Sequence, residues 1–399
     1  MGAARGVCSC EGGDGDYEER ALPRDLGHTR AFGTGTKTRL LLYGAYGYTG
    51  RLTAELAAAK KLDVVLGGRK KEVLAGLGDR LGLPTRVVGL NDPRQLCEAL
   101  KDIACVAHMA GPFAITSAPM LSACLATQTN YIDITGEIEV FEAMWSRKEE
   151  IRGAGITAVP GAGFDVVPTD CLAGYVASKL EGPASLVIAL RGLESVSQGT
   201  LRTAIRQVSQ PVLCRRAGAI AALDDRSPRW IDFGFGDEPC VPVSWGDVAT
   251  AFHSTGARNI TVYFRRTKLL RSADTLGKLF GPLLRSRIGQ RGLAAIVRRL
   301  PEGPDQAERI GHHSTVWTEA MDSLGRSSTA ILSTPDPYDF TANSALEIAS
   351  RIASLPVPMG LVTPSQAFGP DFVLSLPGCS RTDIPARADA SSRAEQGDN

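Results

Sequence analysis

The sequence predicts an α/β protein in which an N-terminal Rossmann-type doubly wound parallel sheet precedes a second α/β (α+β) substrate domain. A glycine-rich turn stands between a strand-like run and a helix-like run just after residue 38. Strand-like and helix-like segments then alternate to about residue 160, which is typical of repeated βα units and a parallel sheet. The length of 399 residues suits two domains of about 150 residues with additional tails.

Composition narrows the class of protein. Hydrophobic residues make up 43% and charged residues 22%, which is ordinary for a soluble globular chain. The 44 basic and 43 acidic residues leave a net charge of +1, which argues against a surface built for nucleic acid. The nine cysteines show no metal-type spacing, so we expect no metal site and a reducing, cytoplasmic location.

The chain divides into five predicted parts. Both tails are polar and lack apolar periodicity, and the first carries too many acids for a transit peptide, so we expect both to be disordered. The parts are a disordered tail (1–36), a Rossmann-type domain (37–165), a substrate domain (166–335), a return segment packing toward the first domain (336–378) and a disordered tail (379–399).

The glycine turn predicts a dinucleotide site. Gly44, Gly47 and Gly50 follow the strand-like residues 38–43 and lead into a helix-like segment. In this context the first glycine permits a tight turn, the second lets a pyrophosphate approach and the third lets the helix pack closely on the strand. A turn without a ligand is the alternative. The predicted binding residues here are Gly44, Ala45, Tyr46, Gly47, Tyr48, Thr49 and Gly50.

The end of the next strand predicts the type of dinucleotide. An NAD site carries an acidic residue about 20 positions after the glycines, where it binds the ribose hydroxyls. Arg69 stands 19 residues after Gly50, with Lys70 beside it, whereas Asp63 lies at the other end of that strand. A basic pair can hold a 2′-phosphate, so we predict NADPH, although a solvated basic turn is the alternative reading.

Three further strand-end loops should face the nicotinamide half of the cofactor. The first predicts a cofactor wall made of Ala110, Gly111, Pro112 and Phe113. The others supply the candidate catalytic residues Tyr131, Asp133, Glu137 and Asp165. For Asp133 and Glu137 the alternative is a helix N-cap and a first-turn acid, and Tyr131 alternates with Asp133 as a core or wall residue would.

These motifs together resemble a known family. The runs 40–50 (LLLYGAYGYTG), 110–113 (AGPF), 131–137 (YIDITGE) and 160–165 (PGAGFD) occur in this order. They resemble the saccharopine dehydrogenase-like oxidoreductases, specifically the trans-acting enoyl reductase branch. The resemblance continues to about residue 369 through 197–200 (SQGT), 245–247 (WGD), Gly303, Pro304, Arg309 and 338–342 (YDFTA). It implies an NADP-dependent oxidoreductase of lipid metabolism.

Three functions are compatible with the sequence. The first is an NADPH-dependent reductase of an activated double bond, such as that of an enoyl thioester. The second is a saccharopine-type amino-acid dehydrogenase acting on a C–N bond, whose multiply charged substrate would need convergent arginines. Candidates for that role are Arg191, Arg202, Arg206 and Arg258. The third is a non-enzymatic NADP-binding regulatory protein.

The segment from Arg265 to Leu300 predicts a contact with an anionic partner. It holds ten basic residues and the single acid Asp274, a local charge of 10 − 1 = +9. We expect it to receive an acyl substrate on a carrier or to touch a membrane surface peripherally, with a solvated helical cover as the alternative. A homodimer is also compatible with the sequence.

Overall fold

The computed structural model describes residues 37–192, 197, 198, 201, 210–267, 289 and 301–385. They build two β-sheets with helices on their faces. The predicted tails at 1–36 and 386–399 lie outside the described residues, as does nearly all of the basic segment after Thr267. Across the described ranges, no helix has the length and apolar character needed to cross a membrane.

The first sheet contains seven parallel strands. In chain order they are Leu40–Tyr43 (β1), Val64–Gly68 (β2), Thr85–Val87 (β3), Cys105–His108 (β4), Asn130–Asp133 (β5), Thr157–Val159 (β6) and, from far along the chain, Gly360–Leu361 (β15). They are arranged as β15-β6-β5-β4-β1-β2-β3. All residues of β1, β2, β4 and β5 are buried, as expected for strands covered on both faces.

Helices connect these strands and cover the sheet. They are Tyr48–Ala59 (α1), Lys71–Leu81 (α2), Pro93–Leu100 (α3), Phe113–Thr127 (α4), Ile138–Trp145 (α5) and Lys148–Gly153 (α6). Asp92 caps α3 by accepting the backbone N–H groups of Arg94 and Gln95, as its position before Pro93 predicts. The doubly wound parallel sheet predicted from the alternating pattern is confirmed.

The second sheet is mixed and has nine strands. They are Pro183–Arg191 (β7), Leu213–Arg216 (β8), Ala219–Ala222 (β9), Arg229–Asp232 (β10), Asp237–Val243 (β11), Asn259–Arg265 (β12), His313–Asp322 (β13), Ser327–Pro335 (β14) and Ser380–Ile384 (β16). The main path runs β10-β11-β12-β7-β13-β14-β16, and β8 pairs with β12 and β9. Only the β12–β7 pair is parallel among these pairings.

Five further helices lie among the described residues. They are Val167–Ala177 (α7), Asp247–Thr255 (α8), Gln306–Arg309 (α9), Pro337–Ser354 (α10) and Pro364–Phe368 (α11), followed by a 3₁₀ turn at Phe372–Ser375. Helix α7 packs on α8, β13 and β14, whereas α10 returns to α1, β4 and β5. The later chain therefore contributes both α10 and β15 to the first sheet.

The prediction of disorder from residue 379 onward is wrong for its first part, because Ser380–Ile384 forms edge strand β16 against β14. Backbone pairing needs no apolar pattern, and charged side chains fix this strand from outside. Asp383 accepts from Lys179 at 2.7 Å, and Arg381 pairs with Asp371 at 2.7 Å. A short polar edge strand held by ion pairs resembles a tail in sequence alone.

Candidate functional site

The site lies where the strand order of the first sheet reverses. Strand β1 has β2 on one side and β4 on the other, so the connections wind outward in opposite directions from this point. Ligands of open α/β sheets bind at the carboxyl ends of the strands beside such a reversal. The glycine turn after β1 and the loops after β4, β5 and β6 all lie at this edge.

The three glycines of the turn have different surroundings. Gly44 has a φ of +86°, and a side-chain carbon there would lie 2.9 Å from Ala110. A side-chain carbon on Gly50 would lie 2.3 Å from the carbonyl oxygen of Gly44, so this glycine allows α1 to approach β1. At the exposed Gly47, that same oxygen would be the only atom of the described residues within 4 Å of the side-chain carbon, at 3.3 Å. Gly47 therefore keeps the outer side of the turn open for a pyrophosphate.

Helix α1 begins directly at this turn. Gly47 is its N-cap, and its first turn contains no acidic residue. The first N–H groups of a helix have no partner within it and carry the positive end of the helix dipole. The N–H groups of Tyr48, Thr49 and Gly50 therefore suit a phosphate group, as the sequence pattern predicts.

Tyr48 connects the glycine turn to the later part of the chain. Its hydroxyl donates a hydrogen bond to the carbonyl oxygen of Pro304 and accepts one from Arg309 Nη1 at 2.9 Å. Arg309 also contacts Asp339 at 3.0 Å, and the ring of Tyr48 packs against Gly303. Tyr48 is the first residue of α1 after the turn, and its side chain contacts residues about 255 positions away.

This arrangement gives a stability prediction. Tyr48→Phe removes the donor to Pro304 and the acceptor for Arg309, so we expect the free energy of unfolding to fall by about 1–2 kcal/mol. Tyr46→Phe is the matched control, because no described residue hydrogen-bonds the hydroxyl of Tyr46. Denaturant unfolding of both variants checks this, and equal loss in the two would contradict the role of the Tyr48 hydroxyl.

Arg69 and Lys70 lie at the end of β2, at the predicted adenosine end of the site. Both residues are exposed. The ring of Tyr46 lies against Gly68, where a side-chain carbon would be 2.5 Å from the ring. Lys70 Nζ is 6.0 Å from the centre of the Tyr46 ring. Asp63 lies at the opposite edge of the sheet, paired with Arg39 at 2.9 Å. The edge therefore carries a basic pair where an NAD site carries an acid.

The loop after β4 closes the central part of the edge. Ala110 contacts Gly44, and Phe113 begins α4 with its ring 5.5 Å from that of His108. His108 is fully buried, and burial lowers its pKa to about 3, so its ring is neutral. Of the predicted wall residues, Gly111 is exposed and the other three are partly exposed.

Tyr131 and Asp133 form a closed, buried pair. The Tyr131 hydroxyl donates to Asp133 Oδ2 at 2.7 Å, and Asp133 Oδ1 accepts the N–H groups of Thr135 and Gly161, both at 3.0 Å. Burial raises the pKa of Asp133 to about 6. The reading of Asp133 as an N-cap is wrong, because it ends β5 and ties the β5 loop to the β6 loop instead.

Glu137 caps a helix other than its own. It occupies the N-cap position of α5 but makes no side-chain cap bond there. Its carboxylate instead accepts the N–H groups of Phe113 at 3.2 Å and Ala114 at 3.1 Å, which are the first residues of α4. A carboxylate at a helix N-terminus is favoured by the helix dipole. Glu137 therefore fixes the β4 loop against the β5 loop.

Asp165 differs from these three residues because its side chain is partly exposed. Its Oδ2 lies against the backbone of Gly136, where a side-chain carbon would be 2.6 Å away. Within the described ranges, neither a hydrogen bond nor an ion pair reaches this carboxyl group. Burial and the nearby charge of Glu137 raise the pKa of Asp165 to about 7.

The second domain adds the run Trp245-Gly246-Asp247 to the same edge. A side-chain carbon on Gly246 would lie 2.9 Å from Phe141, 3.3 Å from Val166 and 3.5 Å from the carbonyl oxygen of Gly136. Asp247 is fully buried, and no hydrogen bond from a described residue reaches either carboxylate oxygen. Burial raises its pKa well above the ordinary value, which favours the protonated form. Only tertiary contact brings this acid to the site.

Among the residues that the structure describes, no group of three or more His, Cys, Asp or Glu side chains is arranged to hold a metal ion. The polar groups at the edge are therefore backbone N–H groups, carboxyl groups and the basic pair after β2. This set suits a phosphorylated dinucleotide.

Comparison with known proteins agrees with that geometry. Residues 40–159 match the family described as saccharopine dehydrogenase NADP binding domain. The part of the chain that forms β1 to β6 is therefore similar to saccharopine dehydrogenase NADP-binding domains. This match spans β1 to β6 and contains the glycine turn, the basic pair and the loops after β4 and β5. The prediction of NADP as the cofactor is confirmed at the level of this domain family.

Curated relatives carry the two names that the motifs suggest. A saccharopine dehydrogenase-like oxidoreductase from Bos taurus is 28% identical over 180 residues, which is 40% of this chain and 42% of that protein. A trans-acting enoyl reductase from Mycobacterium leprae is 30% identical over 139 residues, 33% of each chain. The chain thus covers less than half the length of these relatives. The predicted resemblance is confirmed.

Solved structures share the fold over a greater length. Saccharopine dehydrogenase (L-Glu forming) from Saccharomyces cerevisiae has a TM-score of 0.59 at 12% identity, covering 87% of this chain and 100% of that one. Homospermidine synthase from Legionella pneumophila, solved with NAD, has a TM-score of 0.58 at 10% identity, covering 90% and 94%. The similarity therefore extends beyond the NADP-binding domain to the second sheet.

Proposed function

We propose that the protein is an NADPH-dependent oxidoreductase that reduces the activated double bond of an enoyl thioester or a lipid-like enoyl substrate. The observation that carries the cofactor assignment is Arg69 with Lys70 at the end of β2, beside an open glycine turn. NADPH, when bound, supplies a hydride equivalent for the β-carbon of the double bond. The chain would bind the pyrophosphate at the start of α1 and hold the reacting groups over the loops after β4, β5 and β6.

The arginines of the second domain support a double bond over a C–N bond. Arg191 forms an ion pair with Glu238 at 2.9 Å, and Arg258 donates to the carbonyl oxygen of Ala217 at 3.1 Å. Both side chains already have partners within the protein, whereas a substrate with several carboxylates needs arginines that converge on it. The other two candidates, Arg202 and Arg206, lie outside the described residues.

A cofactor titration followed by two substrate panels tests the proposal. The purified protein is titrated with NADPH and NADH, and NADPH oxidation is then followed with enoyl thioesters and with keto-acid and amino-acid pairs. Turnover of enoyl thioesters alone is the expected result. Turnover only with the keto-acid pairs would favour the C–N dehydrogenase, and binding without turnover in either panel would favour the regulatory protein.

Arg69→Ala tests the cofactor assignment separately. Loss of one charge-assisted phosphate contact costs about 1.5–3 kcal/mol, so we expect NADPH to bind at least about tenfold more weakly and NADH to be nearly unaffected. Arg80→Ala is the matched control, because Arg80 lies on α2 and pairs with Glu55 at 2.9 Å. Equal weakening of both cofactors by Arg69→Ala would show that Arg69 does not bind the 2′-phosphate.

The charge of the basic segment from Arg265 to Leu300 supports an anionic partner. Ten basic residues suit an anionic acyl carrier or an anionic membrane surface in a cytoplasmic protein, and such attraction weakens as salt is added. A homodimer would be compatible with the proposal. Sedimentation at two salt concentrations, with and without an acidic carrier, separates self-association from carrier binding.

A further inference from the structure

Three of the four candidate catalytic residues are already fully engaged by the protein. Tyr131 and Asp133 are buried and bonded to each other, and Asp133 also accepts two backbone N–H groups. Glu137 accepts the first two N–H groups of α4. A group in such bonds cannot exchange a proton with a substrate without breaking the loops it holds together. These three residues therefore position the loops and do not donate a proton to the substrate.

The fourth candidate has the opposite surroundings. Asp165 is partly exposed, lies in the loop after β6 at the ligand-binding edge, and receives no hydrogen bond from a described residue. Its carboxyl group is nevertheless held in place, because Oδ2 lies against Gly136 and the adjacent Val166 packs under Gly246. A fixed group with an unused proton-exchange site is what a general acid requires.

We propose that Asp165 is the catalytic acid that faces the nicotinamide and delivers the proton to the substrate α-carbon. This inference rests on the proposed reductase function and adds the proton donor to it. The residues Gly136 and Gly246 are positioning residues, since their lack of side chains lets the loops after β5 and β6 and the start of α8 meet around Asp165.

The proton step balances with the cofactor chemistry. As the β-carbon gains its hydrogen from NADPH, the electron pair of the C=C bond forms the new α-carbon–hydrogen bond with the proton of Asp165. NADPH becomes NADP⁺, the double bond becomes a single bond, and Asp165 is left as a carboxylate. Its partial exposure allows solvent to return the proton.

The charges around Asp165 favour the protonated form before reaction. Glu137 faces it from the loop after β5, and its charge adds to burial in raising the pKa of Asp165 to about 7. Asp247, at the start of α8, is near enough for the charge of Asp165 to raise its pKa, and Asp170 follows on α7. No described cation contributes to the pKa of Asp165. An acid with a pKa near the working pH can both give and regain a proton.

A proton donor at this position also bears on the class of substrate. Reduction of a C=C bond needs a proton at carbon, whereas a C=N⁺ group becomes an amine when it receives a hydride. A carboxyl group that no described residue hydrogen-bonds, at an edge without convergent described arginines, therefore supports an alkene conjugated to a carbonyl group. The substrate carbonyl would lie within reach of the same edge.

A cofactor-binding experiment tests the position of Asp165 without any substrate. The dissociation constants of NADP⁺ and NADPH are measured from pH 5.5 to pH 9 in the wild type, Asp165→Asn and Asp170→Asn. A carboxylate that faces the positive nicotinamide of NADP⁺ strengthens NADP⁺ binding. The dissociation constant of NADP⁺ divided by that of NADPH should therefore fall about three- to tenfold as the pH rises through about 7. Both cofactors carry the 2′-phosphate, so its titration cancels.

We expect this pH dependence in the wild type and in Asp170→Asn, and a flat ratio in Asp165→Asn. Asp170 is the matched control because it is an acid of the same region whose Oδ2 accepts the N–H of Ser365 at 2.7 Å. A flat ratio in the wild type, or an unchanged pH dependence in Asp165→Asn, would overturn the proposal.

Turnover then tests the chemical role. The assay uses a trans-2-enoyl thioester in D₂O. Asp165→Asn should lower kcat about 10²–10⁴-fold and remove the loss of activity that the wild type shows above about pH 7. The affinity for NADPH should stay within about twofold of the wild-type value. Wild-type kcat in this variant would overturn the acid role. Absence of wild-type turnover, together with the expected ratio, would refute the enoyl reductase function while keeping Asp165 at the nicotinamide.

Discussion

Gly47→Val is expected to abolish NADPH binding while the protein stays folded. Gly47 is exposed, has an ordinary φ of −69° and would bring a side-chain carbon to within 3.3 Å of only one atom, so the fold can accommodate the change. The new isopropyl group would occupy the space through which a pyrophosphate reaches the start of α1. Loss of two charge-assisted contacts there corresponds to a weakening of about 100-fold or more.

Gly50→Val on the same turn is the matched variant with the opposite expectation. A side-chain carbon at Gly50 would lie 2.3 Å from the carbonyl oxygen of Gly44 and 3.0 Å from the Cα of Ala45, so backbone must move. We expect a loss of about 3 kcal/mol or more in the free energy of unfolding. Thermal unfolding and fluorescence titration with NADPH distinguish the two. A folded Gly47→Val protein with wild-type affinity would mean that the turn is structural only.

Local sequence patterns predict the first domain well. A strand, a glycine turn and a helix are contiguous, so the spacing of Gly44, Gly47 and Gly50 is enough to place the turn. The position of Arg69 at the end of the next strand likewise follows from the size of one βαβ unit. In each case the interacting groups are near in sequence or at fixed strand ends.

Contacts between distant segments could not be predicted in the same way. The carboxylate of Glu137 caps α4 rather than α5, because the loops after β4 and β5 meet in space. Asp247 looks like an ordinary first-turn acid of α8, yet packing against the first domain buries it completely. The sequence marks the run Trp245-Gly246-Asp247 only through the family resemblance. Such roles depend on how two sheets join, which no local periodicity encodes.

Asp247→Asn is expected to stabilise the protein, and increasingly so as the pH rises. The pKa of Asp247 is raised well above its ordinary value of 3.8 by burial, so the folded state keeps a proton that the unfolded state releases above that pH. Wild-type stability from this group is therefore complete below about pH 4 and declines as the pH rises toward the folded-state pKa. Asparagine carries no charge at any pH, so the variant lacks this decline.

The expected gain is near zero at pH 4 and grows as the pH rises to 8, because the folded and unfolded states differ increasingly in the number of bound protons. Asp383→Asn is a control of opposite sign, since the ion pair with Lys179 lowers the pKa of Asp383 and stabilises the protein above its ordinary pKa. Denaturant unfolding from pH 4 to pH 8 measures both. An Asp247→Asn variant whose stability relative to the wild type does not rise between pH 4 and pH 8 would contradict the raised pKa of Asp247.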